Sequence, residues 1–457
     1  MTIKYSQFHT LIDLRGSMEK AGVIRLFFKT LGKNNNDKQQ IYIATDMSKI
    51  SFLPTGEMEA ARSKSTKNNP KGKAIFRTCM PLDWLNSDGS RCTAPSTKLI
   101  FYPQYPEVRI SGFLEKCELA PNELLSRAHR GKETGRILFL GVTHDGRVLA
   151  HAVAPESSIA KEIRKTSFPI THGVLKEILI NEAVDSRQLL LSELARIHRM
   201  GWVDGVKLTR EGMESYDKKN SIGYTLEAHL GILPNGNAKP DFHGWEVKGT
   251  TIKDFGRKMS LKVSVLTGSP TAGLIREIGW REFVMRYGYR NNEKPPGRID
   301  FNGVHRYGIQ QNKTGLILDI EGYKDRTIVD EQGGVIIADN KGKVILKWHF
   351  SKLMEHWKKK HTNAVFVPAL SRAAPRRQFW FSRNVKLGTG TEFYKLLDAI
   401  KAGSVVYDSG LWVNPQGETT KQRGHERHQI RVIPSQVSSL YSTFEDVDVT
   451  AVPKRPH

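Results

Sequence analysis

Three residues in the segment 240–248, Pro-Asp-Phe-His-Gly-Trp-Glu-Val-Lys, have types and a spacing that could do chemistry. Glu246 and Lys248 are two positions apart, so on a β-strand both side chains lie on the same face. Asp241 precedes a turn at Gly244 and can fold back beside them. Two carboxylates can bind Mg²⁺ through hard oxygen ligands, and a neighbouring amine can position or activate a water. The segment therefore predicts a metal-assisted site that hydrolyses a phosphate ester.

A helix is predicted immediately before this segment. Ile222, Leu226 and Leu230 recur every four residues, which is helical spacing, and Gly231 is a typical helix end. The order of elements is therefore helix, turn and acidic strand. Glu227 lies one turn before the helix end. It either faces the metal site as a supporting carboxylate or is an ordinary surface residue.

The composition favours a polyanionic partner. The 457 residues include 70 Lys and Arg against 47 Asp and Glu, which gives a formal net charge of +23 and a pI near 9.8. Such a charge attracts nucleic acid and accelerates the encounter, without saying which polyanion is bound.

No run of about 18 apolar residues is present, so no membrane span is expected. The N-terminus lacks the basic start and apolar core of a signal peptide. The three cysteines are odd in number and form no Cys-x-x-Cys pair, so neither a disulfide framework nor a structural zinc site is expected, and a cytoplasmic location is predicted.

The N-terminal third is predicted to be mostly β-structure. Short apolar or alternating runs are separated by turn residues, which is typical of strands that close into a barrel or pseudobarrel. The predicted strands are 24–29, 40–44, 98–102, 136–142 and 147–153. A chain of this length is expected to hold two or three domains. We predict a first domain at 1–170, a linker at 171–187 and a second domain at 188–457.

The second domain resembles a known family. The run 223–249 resembles the MvaI/BcnI type of restriction endonuclease, in which a helix with a glutamate precedes Pro-Asp-Phe-x-x-x-Glu-x-Lys. Further segments agree in the same order: Gly201-Trp202 after a predicted helix at 189–199, Leu-Thr-Gly-Ser-Pro-Thr at 266–271, and Lys-Trp-His-Phe-Ser-Lys-Leu at 347–353 as a helix start. The resemblance covers residues 186–435. It implies a PD-(D/E)XK nuclease domain of mixed α/β fold with a central mixed sheet.

The resemblance also implies roles for the candidate site residues. Asp241, Glu246 and Lys248 would be catalytic and Glu227 would support them, with Mg²⁺ held by Asp241 and Glu246. Lys248 would orient a water that attacks phosphorus in line and leaves 5′-phosphate and 3′-hydroxyl ends. His243 is expected to be structural. Relatives of this type act as monomers, and a restriction enzyme implies a protecting DNA methyltransferase in its bacterial host.

A DNA-reading surface is expected in the C-terminal part, where a His- and Arg-rich segment ends in Ile-Arg-Val like the major-groove loop of the family. The candidate groove contacts are Asp408, His425, Arg427, His428 and Arg431. Two departures leave the base reading open: the family often has an arginine where this chain has Gly410, and its His-Gly-Thr triplet is replaced here by Arg-His-Gln at 427–429. The alternative is a solvated basic loop. Two further basic runs, 356–361 and 372–377, are expected to bind phosphate or to be solvated.

The N-terminal part resembles the effector domain of the EcoRII type of restriction enzyme, a pseudobarrel that grips the DNA major groove with two arms. The resemblance lies in Phe-Phe-Lys at 27–29, Ile-Tyr-Ile at 41–43 and Pro-Glu-Val-Arg-Ile-Ser-Gly-Phe at 106–113, and the matching arms are 29–42 and 91–109. The candidate base or phosphate contacts are Lys29, Gln39, Gln40, Tyr42, Arg91, Glu107 and Arg109. Arginine can pair with guanine, glutamine with adenine and glutamate with cytosine. Alternatively, Tyr42 packs within a strand and Lys29 contacts only phosphate.

The sequence therefore predicts a type II restriction endonuclease that cuts double-stranded DNA at a short pseudopalindrome such as CCWGG, with an N-terminal effector or targeting domain. Two other functions remain open. One is a repair or structure-selective nuclease with the same metal site, which would cut according to junctions or mismatches. The other is a non-catalytic DNA-binding protein with a degenerate nuclease domain, which would show no metal-dependent cleavage.

Overall fold

The computed structural model describes residues 4–33, 39–64, 70–130, 133–180, 185–218, 220–234, 241–256, 263–294, 296–373, 375–417 and 423–451. The chain divides into two compact units, Met1–Ala183 and Val184–His457. Both units combine helices with β-sheets, so the predicted mixed α/β class is confirmed. Over the described ranges, no helix is long and apolar enough to cross a membrane.

The first unit begins with a helix and continues mainly as strands. Its elements are α1 (Leu11–Lys20), β1 (Val23–Leu31), β2 (Gln40–Ala44), a 3-10 helix (Met47–Ile50), β3 (Glu59–Arg62), β4 (Ala74–Cys79), β5 (Leu82–Leu85), β6 (Arg91–Thr93), β7 (Lys98–Tyr102), β8 (Glu107–Ser111), α2 (Asn122–Leu125), α3 (Arg127–Arg130), β9 (Arg136–Thr143), β10 (Val148–Val153), α4 (Ser158–Lys165), β11 (Thr171–His172) and β12 (Leu175–Ile178). The predicted strands are confirmed.

Among the described residues, the strands of the first unit form two sheets, in the orders β11-β12-β1-β9-β10-β5-β6 and β2-β8-β7-β4-β3. α1 and α4 bury their apolar sides against the first sheet, in a core that includes Leu14, Phe28, Phe139 and Ile159. The pairing of β1 with β9 is antiparallel, whereas β10 pairs with β5 in parallel. The closure of these sheets into a pseudobarrel stays a prediction.

The linker predicted at 171–187 is wrong in its first part. β11 and β12 form a hairpin, and β12 pairs antiparallel with β1, with Leu26 opposite Ile178. An ion pair strengthens this edge, since Arg25 Nε donates to Glu177 Oε1 at 2.8 Å. The hairpin therefore belongs to the first sheet. The predicted division into domains 1–170 and 188–457 with a linker between them otherwise stays a prediction.

The second unit holds the nuclease-like segment. Its elements are α5 (Ser186–Arg199), β13 (Val203–Asp204), β14 (Val206–Thr209), β15 (Gly212–Ser215), α6 (Ser221–His229), β16 (Glu246–Thr251), β17 (Val263–Leu266), α7 (Leu274–Ile278), α8 (Trp280–Tyr287), β18 (Tyr289–Arg290), β19 (Ile299–His305), β20 (Ile317–Glu321), β21 (Tyr323–Lys324), β22 (Thr327–Ile328), β23 (Gly334–Ala338), β24 (Val344–His349), α9 (Phe350–Lys360), β25 (Asn363–Arg372), β26 (Gln378–Phe381), β27 (Asn384–Thr389), α10 (Phe393–Lys401), β28 (Val405–Val413), β29 (Gly424–His425), β30 (Ile430–Val432), a 3-10 helix (Pro434–Leu440) and β31 (Thr443–Asp448). The helices predicted at 189–199 and before the acidic strand are confirmed as α5 and α6.

A mixed sheet lies at the centre of this unit. In the described part of the chain its order is β13-β26-β25-β27-β31, and β16 pairs with β25 in parallel. Val247 of β16 packs into the core with Leu194 of α5 and Val365 of β25. Because side chains alternate along a strand, Glu246 and Lys248 lie on the opposite face. The sequence pattern predicted this alternation correctly.

A second sheet in this unit has the order β17-β30-β28-β19-β18 among the described residues, with β29 paired to β28, and it carries the candidate groove contacts. A smaller sheet, β20-β23-β24, leads directly into α9. The segment 347–353, expected at a helix start, holds the end of β24 and the first turn of α9.

Candidate active site and DNA-reading surfaces

A tight turn at residues 242–245 brings the two predicted metal ligands together. Its first and last residues exchange backbone hydrogen bonds of 2.9 and 2.8 Å, and the central residues His243 and Gly244 have φ of +44° and +89°. Two successive positive φ values are typical of a type I′ hairpin turn, whose twist suits a following strand. The turn folds the chain back, so that Asp241 Oδ2 accepts a hydrogen bond from the Val247 N–H at 3.0 Å. His243 thus holds a turn position, in agreement with a structural role.

Glu246 lies at the bottom of the candidate site. Its side chain is 1% exposed, and its Oε1 contacts the ammonium group of Lys248 and, at 3.9 Å, that of Lys360. Its Oε2 has no hydrogen-bond partner among the described residues. Burial raises the pKa of Glu246, against the lowering effect of Lys248, and the carboxylate of Asp241 adds to the rise. The site is therefore built around a buried carboxylate with one unsatisfied oxygen.

Glu227 lies beside these carboxylates because α6 packs closely on β16. Gly249 permits the contact: a Cβ at this position would stand 3.2 Å from Ile222 Cγ1. Burial raises the pKa of Glu227 to about 7, and the neighbouring charge of Asp241 contributes to the rise. Glu227 is half-buried and within electrostatic reach of the site, so the open-surface alternative does not describe its position. Its supporting role remains a prediction.

The donor set fits a hard divalent cation. An unpaired oxygen of a buried carboxylate is costly unless something binds it, and Asp241 adds a second carboxylate. Mg²⁺ is usually held by one or two carboxylates, with waters and substrate phosphates as its other ligands. The described residues contain no group of three or more His, Cys, Asp or Glu that could hold a metal ion. Asp241 and Glu246 would therefore hold the ion together with oxygens that come from outside the protein.

Lys360, the last residue of α9, was not among the predicted site residues. It belongs to the basic run 356–361, in which the sequence gives no means of telling which side chain faces the carboxylates. In the structure Lys359 pairs with Glu355 at 2.7 Å, whereas Lys360 turns toward Glu246. The reason is topological. β25 follows α9 and pairs in parallel with β16, which brings the end of the helix to the beginning of the acidic strand.

The second sheet brings several candidate groove contacts together. Arg431 Nη1 of β30 forms an ion pair with Asp408 Oδ2 of β28 at 2.9 Å. Arg427 and His425 are exposed, and the guanidinium of Arg427 lies against Gly410. A surface with these donors can read base edges in a major groove. The role of these residues in DNA contact remains a prediction.

His428 is a correction to the predicted groove contacts. The residue is 5% exposed, its Nδ1 is 2.8 Å from the hydroxyl of Tyr407, and its Nε2 is 3.0 Å from Glu426 Oε1. Both ring nitrogens are occupied inside the protein, so the imidazole does not face a groove. It fixes the segment that presents Arg427 instead. The sequence did not reveal the burial because Tyr407 lies on a different strand.

In the first unit, several predicted contacts from both arms converge in what we call the β2–β8 cluster. Its members are Lys29, Gln40, Tyr42, Tyr102, Glu107 and Arg109. Arg109 Nε donates to Glu107 Oε2 at 2.8 Å, and Gln40 Nε2 donates to the Tyr102 hydroxyl at 2.9 Å. Tyr102 was not predicted, although it stands next to the β7–β8 turn. Burial lowers the pKa of Lys29 to about 8.

Three predicted contacts of the first unit differ in their surroundings. Gln40 is buried and donates to the Tyr102 hydroxyl, so it lies inside the cluster and not on its exposed surface. Gln39 donates to the Leu125 carbonyl of α2 at 2.7 Å. Arg91 is exposed on β6, which belongs to the other sheet. Gln39 therefore contacts α2, and Arg91 lies on a strand that pairs with neither β2 nor β8.

Carboxylates and ammonium groups gathered at the edge of a mixed sheet, in a strongly basic chain, are typical of the class of nucleases that hydrolyse phosphodiesters. Residues 191–441, more than half of the chain, match the MvaI/BcnI restriction endonuclease family. The chain belongs to this family, as the sequence predicted. Members of such a family are DNA-binding hydrolases of restriction systems.

Two solved structures are similar to this chain. One is described as a restriction endonuclease MvaI–cognate DNA substrate complex, with a TM-score of 0.43, 17% identity, and coverage of 58% of this chain and 99% of that one. The other is restriction endonuclease MvaI in the absence of DNA, with a TM-score of 0.32, 16% identity and the same coverage. Comparison with curated proteins gives no match.

Proposed function

We propose that this chain is a Mg²⁺-dependent type II restriction endonuclease that cuts both strands of double-stranded DNA at a short pseudopalindromic, CCWGG-like site. The observation that carries the proposal is the environment of Glu246. This buried carboxylate has one oxygen without a hydrogen-bond partner among the described residues, two lysines close to its other oxygen, and the carboxylate of Asp241 nearby. The proposal includes a monomer in the bacterial cytoplasm and a methyltransferase that protects the host DNA.

In this proposal each side chain has a distinct task. Asp241 and Glu246 hold the cation, and Glu227 supports them from α6. When bound, Mg²⁺ supplies stabilisation of the charge that develops on the phosphate and lowers the pKa of the attacking water. Lys248 orients that water for in-line attack on phosphorus. The bond from phosphorus to the 3′ oxygen breaks, which leaves a 5′-phosphate and a 3′-hydroxyl end.

The proposal is tested by digesting unmethylated phage DNA with Mg²⁺, using wild type, Lys248→Ala and a matched control, Lys341→Ala. Lys341 is exposed in the turn between β23 and β24, so its loss changes the net charge equally without touching the site. Discrete fragments from wild type and the control, absent with Lys248→Ala, support the proposal, and sequencing their ends gives the site.

The other outcomes point to the alternatives. A smear that disappears with Lys248→Ala identifies a non-specific or structure-selective nuclease. DNA binding by wild type with no cleavage identifies a non-catalytic DNA-binding protein. Oligonucleotides with CCWGG and with single substitutions in it then test the proposed specificity, since each wrong base pair costs about 1–3 kcal/mol of binding.

We also propose an effector or targeting role for the first unit, supported by the β2–β8 cluster. DNA binding by the full chain carrying Lys248→Ala is compared with and without Arg109→Ala. Arg77→Ala is the matched control, because Arg77 lies in the same sheet and pairs with Glu59 at 3.0 Å. A loss of binding that is specific to Arg109→Ala supports the role, and equal effects of both substitutions contradict it.

A further inference from the structure

Two lysines from separate elements reach the same buried oxygen. Lys248 comes from β16 and is 24% exposed, Lys360 comes from the end of α9 and is 33% exposed, and Glu246 beneath them is 1% exposed. Both lysine side chains are thus more exposed than the carboxylate that their ammonium groups approach. An anion that comes close to Glu246 Oε1 also comes close to these two ammonium groups.

The electrostatic surroundings connect Lys360 with the whole site. Its charge lowers the pKa of Glu227 as well as that of Glu246, so it lies within reach of carboxylates on both α6 and β16. The neighbouring lysines of α9 behave differently, since Lys352 and Lys359 both pair with Glu355, at 3.3 and 2.7 Å. Lys360 is therefore directed to the site by the geometry of the helix end.

We propose that Lys360 is a second phosphate-binding lysine of the active site, which contacts the scissile phosphate of DNA together with Lys248. This inference rests on the proposed function. Charge supports it, because a phosphodiester brings further negative charge to a site that already holds the carboxyl groups of Asp241, Glu246 and Glu227. Two ammonium groups offset that negative charge better than one, which favours the binding of a phosphate in a half-buried place.

A purely structural role for Lys360 would have different consequences from contact with a phosphate. If its ammonium only neutralised Glu246, its loss would alter protein stability and cation binding but not the number of phosphates contacted. The number of contacts is measurable, because each lysine on a phosphate contributes about 0.9 to the slope of log K against log salt for double-stranded DNA. The salt dependence of DNA binding therefore separates the two roles without reference to cleavage.

The experiment compares Lys360→Gln, Lys360→Arg and the control Lys359→Gln in the full chain. Equilibrium binding to a cognate duplex is measured over a range of salt with Ca²⁺ in place of Mg²⁺, and single-turnover cleavage is measured with Mg²⁺. Lys360→Gln should lower the salt slope by about 0.9 and slow cleavage by about 100-fold. Lys360→Arg should keep the slope and recover part of the rate, and Lys359→Gln should match wild type in cleavage.

An unchanged salt slope for Lys360→Gln overturns the proposal, as does equal cleavage by Lys360→Gln and Lys359→Gln. Calorimetric titration with Ca²⁺ measures cation binding separately. If Lys360→Gln changes the affinity for Ca²⁺ and leaves the salt slope of DNA binding unchanged, Lys360 has the structural role. If Lys360→Gln is unstable, the salt slope and the cleavage rate are measured for Lys360→Met, which keeps the aliphatic part of the side chain without its charge. Wild type that binds DNA without cutting it refutes the proposed function, yet the slope comparison still decides whether Lys360 contacts phosphate.

Discussion

The guanidinium of Arg427 lies against Gly410 so closely that a Cβ at residue 410 would stand 2.8 Å from Arg427 Nε and 2.9 Å from Nη2. The backbone reinforces the contact, since the Gly410 N–H donates to the Arg427 carbonyl at 3.0 Å. Gly410 is two residues from Asp408 on the same face of β28. The glycine therefore leaves room for a guanidinium from a neighbouring segment, at a position where the family often has an arginine of its own.

Replacing Gly410 by alanine should displace the Arg427 side chain while the strand remains intact, because the group that must move is the end of a flexible side chain. If Arg427 reads a base, the loss of a well-placed contact costs about 1–3 kcal/mol. Binding of cognate DNA by Gly410→Ala should then weaken about tenfold, with an almost unchanged melting temperature. Fluorescence anisotropy and thermal denaturation measure the two effects.

A double-mutant cycle tests whether Gly410 acts through Arg427. The variants Gly410→Ala, Arg427→Ala and the combination of both should show strongly non-additive losses in DNA binding, since the alanine at 410 has nothing left to displace once Arg427 is gone. Additive losses would show that Gly410 and Arg427 contribute separately.

We expect Asp241 to have both a folding role and a chemical role, which two substitutions distinguish. Asparagine at 241 keeps an oxygen that can accept from the Val247 N–H, whereas alanine removes it. Asp241→Asn should therefore fold like wild type and lose metal-dependent cleavage by several orders of magnitude. Asp241→Ala should lose cleavage and also about 1 kcal/mol of stability. Thermal denaturation and a timed digest give both quantities, and an active Asp241→Asn would remove this residue from the metal site.

His243 should matter for its backbone and not for its imidazole. At its φ of +44°, asparagine is tolerated well, whereas a β-branched residue is strained. His243→Asn should keep both stability and cleavage. His243→Val should lose about 1–2 kcal/mol of stability and require more Mg²⁺ for half-maximal cleavage, because the turn sets the position of Asp241. Loss of cleavage in both variants at unchanged stability would instead give the imidazole a chemical role.

Local features of the site could be predicted from the sequence because they depend on neighbours in the chain. The alternation of Glu246, Val247 and Lys248 along one strand determined which side chains face the core. Gly231, with a φ of +75°, ends α6 where the sequence predicted. These patterns rest on the periods of helices and strands and on the conformational freedom of glycine.

Features that depend on distant pairing could not be predicted. Lys360 reaches Glu246 only because β16 pairs with β25, a strand more than a hundred residues later in the chain. His428 has the type and neighbours of a groove contact, yet it is buried and one of its ring nitrogens binds the hydroxyl of Tyr407, which lies on another strand. A single sequence without its sheet order carries neither piece of information.

His151 should make the first unit sensitive to mild acid. Its ring is fully buried, with Nδ1 bound to the Leu85 carbonyl at 2.9 Å, and burial lowers its pKa from 6.5 to about 4. As the pH falls, the unfolded chain takes up a proton on this ring near pH 6.5, whereas the folded chain takes it up only near pH 4. The free energy of unfolding is therefore at its full value above pH 6.5 and decreases toward pH 4, by up to about 1.4 kcal/mol per pH unit. Denaturant titrations of wild type and His151→Gln should show the advantage of wild type shrinking over this window. A difference that stays constant with pH would mean that His151 does not titrate there.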